Sequence, residues 1–119
     1  MTVIRRWRIY PAVEIVRTSF FEKSLKKLGA SKADLAKLED AIASGPEAGD
    51  VIPGLRGARK IRFSLGGKGK RGGGRAIYVA VITADTAYLL FAYRKNEQSD
   101  LSEAQRKTLE ALIVELKDG

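Results

Sequence analysis

The stretch RKIRFSLGGKGKRGGGRAIYVAVITADTAYLLFAY, residues 59–93, decides the fold. Arg59 to Leu65 alternates, with Arg59, Ile61 and Phe63 on one side of an extended chain and Lys60, Arg62 and Ser64 on the other. That is the pattern of a half-buried strand, and it makes Lys60 and Arg62 point together. Arg75 to Ile82 is almost continuously apolar, with Ile77, Val79 and Val81, as suits a central strand covered on both faces. Thr83-Ala84-Asp85-Thr86 makes a tight turn, and Ala87 to Tyr93 returns as the next strand of a hairpin. An antiparallel meander of at least three strands results.

Working outward, Glu14 to Arg17 is a short β-branched strand, and Ser19 with Glu22 has the spacing of a reciprocal helix cap. Phe21, Leu25 and Leu28 then share one face until Gly29. Ser31 with Asp34 opens a second helix, striped by Leu35, Leu38 and Ile42 and stopped by Gly45-Pro46. Glu47 to Gly57 reads as a connecting loop. After the meander, Ser102 and Gln105 cap a last amphipathic helix carrying Leu109, Leu112, Ile113 and Leu116. The expected class is α+β: an antiparallel sheet with two N-terminal helices and one C-terminal helix. The helices are expected on one face, leaving the other partly open to a partner.

Residues 13–119 make up this one domain, and residues 1–12, with Arg5, Arg6, Arg8 and Pro11, read as an N-terminal extension. The extension lacks the apolar stretch of a signal peptide, and no run of about 18 apolar residues occurs anywhere. No membrane association and a cytoplasmic location are therefore expected.

The charge is concentrated. The chain of 119 residues has 22 Lys and Arg against 14 Asp and Glu, a net charge of +8. Between Val51 and Ala84 lie Arg56, Arg59, Lys60, Arg62, Lys68, Lys70, Arg71 and Arg75 and no acidic residue, so the whole excess sits there. A concentrated positive field attracts and steers a polyanion. With neither Cys nor His in the chain, disulfides, thiolate or imidazole metal ligands, a cysteine nucleophile and a Ser-His-Asp triad are all excluded. No metal or small-molecule cofactor is expected.

Residues 66–74 hold six glycines and three cations, the ingredients of a loop whose amides approach phosphate closely. They do not form a nucleotide-hydrolysis motif, because Gly69-Lys70-Arg71 leads to more glycine and a strand rather than through Ser or Thr into a helix. A grip on a nucleic-acid backbone fits better. If the strands register as expected, Lys60, Arg62, Arg75 and Lys95 converge at one edge of the sheet. Such a cluster can cleave RNA through its own 2′-hydroxyl: arginines clamp the phosphate, and a lysine crowded by other cations can take a proton. Tyr93 or Tyr78 can stack a base or hold a proton, although each ring suits the core equally well.

Arg59-Lys60-Ile61-Arg62, the loop Lys68-Gly69-Lys70-Arg71-Gly72-Gly73, Arg75-Ala76-Ile77-Tyr78 and Tyr93-Arg94-Lys95-Asn96-Glu97-Gln98-Ser99-Asp100-Leu101 together resemble the HigB branch of the RelE/ParE toxin superfamily. The resemblance runs from about Val16 to Leu116. It implies a compact microbial ribonuclease domain acting as the toxin of a type II toxin–antitoxin system. The activity implied is that of a ribosome-dependent mRNA endonuclease, or mRNA interferase, silenced by a cognate HigA-like antitoxin. Lys60, Arg62, Arg75 and Lys95 fall on the family's catalytic positions, and Arg56, Arg59, Lys68, Lys70, Arg71, Tyr93 and Asn96 are expected to contact RNA. Where some relatives carry a catalytic tyrosine this chain has Ser102, and Asn96 stands where others have arginine. Lys60, Lys95 or Tyr93 would then have to handle the proton. The alternative is a noncatalytic basic RNA-binding module.

Overall fold

The structure, a computed structural model, describes residues 13–66, 73–81 and 85–118. Chain order is β1 (Glu14–Arg17), α1 (Ser19–Lys26), α2 (Lys32–Ser44), β2 (Asp50–Val51), β3 (Arg59–Phe63), β4 (Gly74–Val81), β5 (Thr86–Arg94) and α3 (Glu103–Asp118). The sheet runs β1-β5-β4-β3-β2. The α+β class and the helix order agree with the sequence reading. The sheet, however, is mixed: β2, β3, β4 and β5 pair antiparallel, and β1 joins β5 in parallel. The connecting loop contributes β2, whose two residues pair with Lys60 and Arg59.

β4 is buried on both faces because two apolar clusters meet on it. Ala76 and Tyr78 join Phe21, Leu28, Leu35, Leu38 and Ile42 of the first two helical segments. Ile77 and Val79 join Leu109 and Ile113 of α3, together with Ile52, Leu55 and Ala58 from the β2–β3 connection. The expectation that all helices share one face is therefore wrong. α3 covers the opposite face, which is what a strand without an exposed side requires.

β5 follows β4 through one irregularity. Ile77 pairs with Phe91 and Tyr78 with Leu89, so Leu90 is an extra residue on β5. Leu90 and Phe91 both pack toward α3, while Ala92 turns back toward α1 and Tyr93 again toward α3. A one-residue bulge of this kind resets which face each later side chain occupies.

Beyond the short β1, the outer edge of β5 is closed by α1. Thr18 is the N-cap of α1, in place of the expected Ser19, and its hydroxyl donates to Leu89 O at 2.8 Å while accepting from Phe21 N at 3.2 Å. Two partners at once explain the choice of hydroxyl. Ser24 Oγ accepts from Ala92 N at 2.9 Å and donates to Phe21 O at 2.8 Å, and the Arg94 guanidinium reaches Leu28 O. A helix thus satisfies strand amides that would otherwise invite another chain. The expected caps of α2 and α3 are present, with Ser31–Asp34 and Ser102–Gln105 bonded reciprocally. Asp34 Oδ2 also accepts from Gly66 N at 3.0 Å, tying the root of the Gly-rich loop to α2.

Two outcomes follow from these contacts. Ser24→Ala leaves the Ala92 amide unpaired in a buried place and should cost about 1–3 kcal/mol in urea denaturation. The Gly66 and Ser31 amides hold the Asp34 carboxyl below the usual carboxylate range. Its contribution to stability is therefore complete above that range and is lost as pH falls through the lower folded-state value. Asp34→Asn should reduce the acid-side fall in melting temperature.

Candidate functional site

Strand register, set by apolar packing, brings the cations together. Lys60 pairs with Ile77, Arg62 with Arg75, and Arg75 with Tyr93. Ile77 and Tyr93 belong to the α3-side cluster, so Lys60, Arg62 and Arg75 share their face, with neighbouring strands roughly 5 Å apart. Ile61 and Phe63 pack on the other side, as the alternation predicts. Lys95 follows β5 directly, exposed, its amide bonded to Gly73 O at 3.2 Å. The four predicted catalytic cations thus lie at one end of three adjacent strands.

Arg75 is the unusual member. It is only 7 % exposed, and its hydrogen-bond partner among the described residues is a carbonyl, Gly74 O, at 3.1 Å from Nη1. Among the described residues no carboxylate pairs with it. A guanidinium has five donors, and a buried charge without a counter-ion is costly unless an anion completes it. Arg62, exposed and directly across from it, has no ion-pair partner among the described residues either. Like charges placed opposite each other across strands are destabilising. Phosphate is the guest such an arrangement suits, since planar guanidinium forks match its oxygens.

Lys60 does have a carboxylate nearby. Its Nζ stands 3.6 Å from Oδ1 of Asp100, a residue to which the sequence reading assigns no individual role. Asp100 is placed by the turn that leads into α3. Its Oδ1 accepts from Leu101 N at 2.8 Å, and its carbonyl accepts from Gln98 Nε2 at 2.8 Å. Gln98 in turn donates to Gln105 Oε1 at 2.9 Å, the same oxygen that caps α3. The Leu101 amide holds the Asp100 carboxyl below its ordinary range; burial opposes it, and Lys60 and then Arg106 lower it further.

Tyr93 is 3 % exposed, with most of its ring packed in the α3-side cluster. Its hydroxyl is buried without a hydrogen-bond partner among the described residues. Burial, then the Asp100 charge, raise its pKa, and Arg75 opposes them. The phenol is therefore protonated at neutral pH. Tyr78 lies on the other face with its hydroxyl fully used, donating to Pro46 O at 2.6 Å and accepting from Gly49 N at 3.0 Å.

The predicted RNA-contacting residues divide. Asn96 is exposed in the turn beside Lys95. Arg59 instead faces away from Lys60 and holds the chain before β2, donating to Gly49 O at 2.8 Å and Glu47 O at 3.3 Å. Arg56 pairs with Glu110 at 3.3 Å, and its carbonyl accepts from Lys117. Neither joins the cluster. Lys68, Lys70 and Arg71, like residues 1–12, lie outside the described residues. Beside the cluster, Tyr93 also borders a cleft of about 330 Å³ lined by Phe20, Lys23, Lys27 and Phe91. Among the described residues no group of three or more Asp and Glu is placed to hold a metal ion, and no helix is long and apolar enough to cross a membrane.

A family model described as the RelE toxin of the RelE/RelB toxin–antitoxin system matches residues 13–118. Among solved structures, the isolated E. coli RelE toxin is similar at a TM-score of 0.55 and 17 % identity, covering 85 % of this chain and 99 % of that one. The intact E. coli RelBE toxin–antitoxin complex is similar at a TM-score of 0.52 and 20 % identity, covering 68 % of this chain and 94 % of that one. At these identities the structural likeness is one of fold.

The facing arginines give a test. Arg62→Gln should raise stability in urea by about 0.2–1 kcal/mol, by relieving cross-strand repulsion, while weakening binding of single-stranded RNA measured by fluorescence anisotropy. A variant that is less stable and binds equally well would refute the like-charge account.

Proposed function

The chain belongs to the RelE toxin family, and we propose that it is a HigB-like, ribosome-dependent mRNA endonuclease working in the cytoplasm under the control of a HigA-like antitoxin. The observation that carries this reading is Arg75, a nearly buried guanidinium without an acidic partner among the described residues, set between Arg62 and the Tyr93 ring. The Tyr93–Leu101 segment, on which the HigB resemblance rests most, carries both Lys95, whose amide bonds Gly73 O beside the start of β4, and Asp100, which pairs with Lys60.

In the proposed reaction the 2′-hydroxyl of one nucleotide attacks the adjacent phosphorus. A 2′,3′-cyclic phosphate forms, the bond to the 5′-oxygen breaks, and the proton of the 2′-hydroxyl ends on solvent or a protein base. Arg75 and Arg62 clamp the non-bridging oxygens and offset the charge that grows on them, and Lys60 adds to that field. Lys95, exposed at the end of β5, stands where it can assist the departing 5′-oxygen. Asn96 contacts the RNA chain beside it. Nothing in this scheme needs a metal, and the messenger itself is presented by the ribosome.

The test is inducible expression in growing bacteria with the 5′ ends of cellular messages mapped within minutes. Wild type should stop growth and cut translated frames at a fixed codon phase, and Arg75→Ala should do neither while remaining folded. Normal growth and uncut messages with RNA still bound would instead support a noncatalytic RNA-binding module. Cuts that persist in Arg75→Ala would remove this arginine from the mechanism.

A further inference from the structure

We propose that Asp100 is a built-in stand-in for substrate phosphate: its carboxylate occupies Lys60 in the RNA-free protein, and an RNA phosphate displaces it and accepts a hydrogen bond from the Tyr93 hydroxyl. The inference rests on the reading that this face binds RNA phosphate.

Two independent observations carry it. The first is the ion pair. Lys60 and Asp100 meet at 3.6 Å, longer than the 2.7–2.9 Å typical of a strong charge-assisted hydrogen bond. Both side chains remain partly open to water, at 31 % and 67 % exposure, and such pairs are weak enough for a phosphate to exchange into. Asp100 loses little on release, because its carboxylate keeps the Leu101 amide. It is also the carboxylate paired with Lys60, the one cation of the cluster that has such a partner among the described residues. The anion on Lys60 and the place for an anion beside Arg75 and Arg62 are thus parts of one surface.

The second observation is the orphaned phenol. Tyr93 is 3 % exposed, its hydroxyl has no partner among the described residues, and a buried donor left unsatisfied is unfavourable. It stands opposite Arg75 on the same face, within the influence of both the Arg75 and the Asp100 charges. Because the phenol stays protonated, it serves as a donor and not as a base. The missing group is therefore an acceptor, and phosphate oxygen entering between Arg75 and Lys60 is one. Tyr93 then touches the reacting phosphate as a neutral donor alongside two guanidinium groups, and the site needs no tyrosine at Ser102.

The experiment measures binding of a short RNA whose central 2′-hydroxyl is replaced by hydrogen, so that it cannot be cut. Asp100→Asn keeps an oxygen for the Leu101 amide and should tighten binding about two- to fivefold, the scale of losing an exposed ion pair. Glu103→Gln makes the same charge change one turn of chain away and should have a smaller effect. Tyr93→Phe should weaken binding about tenfold, the scale of a hydrogen bond to a charged group, with melting temperature unchanged or raised. Unchanged or weaker binding in Asp100→Asn, or an equal gain in Glu103→Gln, overturns the stand-in role. Unchanged binding in Tyr93→Phe overturns the donor role. If Arg75→Ala also binds as wild type does, the phosphate-site reading itself has failed, whereas loss in Arg75→Ala with no effect of Asp100→Asn sinks this inference alone.

Discussion

A strand buried on both faces has no room for a charge, and β4 is such a strand up to its first paired residues. Ala76 and Tyr78 are committed to one apolar cluster and Ile77 and Val79 to the other, so β3 and β5 take their register from it. Gly74 fixes where this regime begins: a Cβ there would come within 2.7 Å of the Phe63 ring, so only glycine lets β3 close against β4 at that point. Arg75 is the next residue, held by its backbone pairing to Arg62 and Tyr93. Among the described residues its position owes nothing to a carboxylate. Two apolar clusters supply the stability from which a desolvated, unpaired guanidinium and a facing like charge can be carried, an arrangement expected at functional sites and rarely elsewhere.

Where each residue pattern was unambiguous, the sequence was legible. The Arg59–Leu65 alternation identified the face of Lys60 and Arg62, the apolar run of β4 identified a central strand, and the hydroxyl–acid and hydroxyl–amide spacings located α2 and α3. The bulge was not legible, because Tyr88-Leu89-Leu90-Phe91 is apolar at every position and carries no alternation to break. The side taken by α3 was also hidden. A continuous apolar strand says that both faces are covered but not by which element, and the contribution of Ile52, Leu55 and Ala58 comes from a segment whose glycines and proline read as loop. The pairing of Asp100 with Lys60 was hidden for a different reason: the two lie 40 positions apart, and only the turn ahead of α3 brings them together.

Positive charge by itself was a poor guide to role. Arg59 and Lys60 are neighbours of the same sign, yet one holds the carbonyls of Glu47 and Gly49 and the other faces the site. Arg56 lies in the same basic stretch and is spent on Glu110 and the end of α3. The distinction is one of parity along a strand. Since successive side chains alternate between faces, a slip of one residue in β3 would exchange Arg59 for Lys60 and send Ile61 into the cationic face.

Several contacts oppose that slip, and each serves the site only through register. Gly49 sits so close to β3 that a Cβ would meet Lys60 O at 2.9 Å, while its amide and carbonyl are taken by Tyr78 and Arg59. At the other end of β3, Asp34 holds Gly66 where the strand gives way to the loop. β3 is therefore pinned before and after its five residues by Gly49, Tyr78, Arg59 and Asp34, none of which belongs to the cationic cluster. The cationic face is a consequence of this pinning: the same composition paired one residue out of register would have an equal net charge and no site.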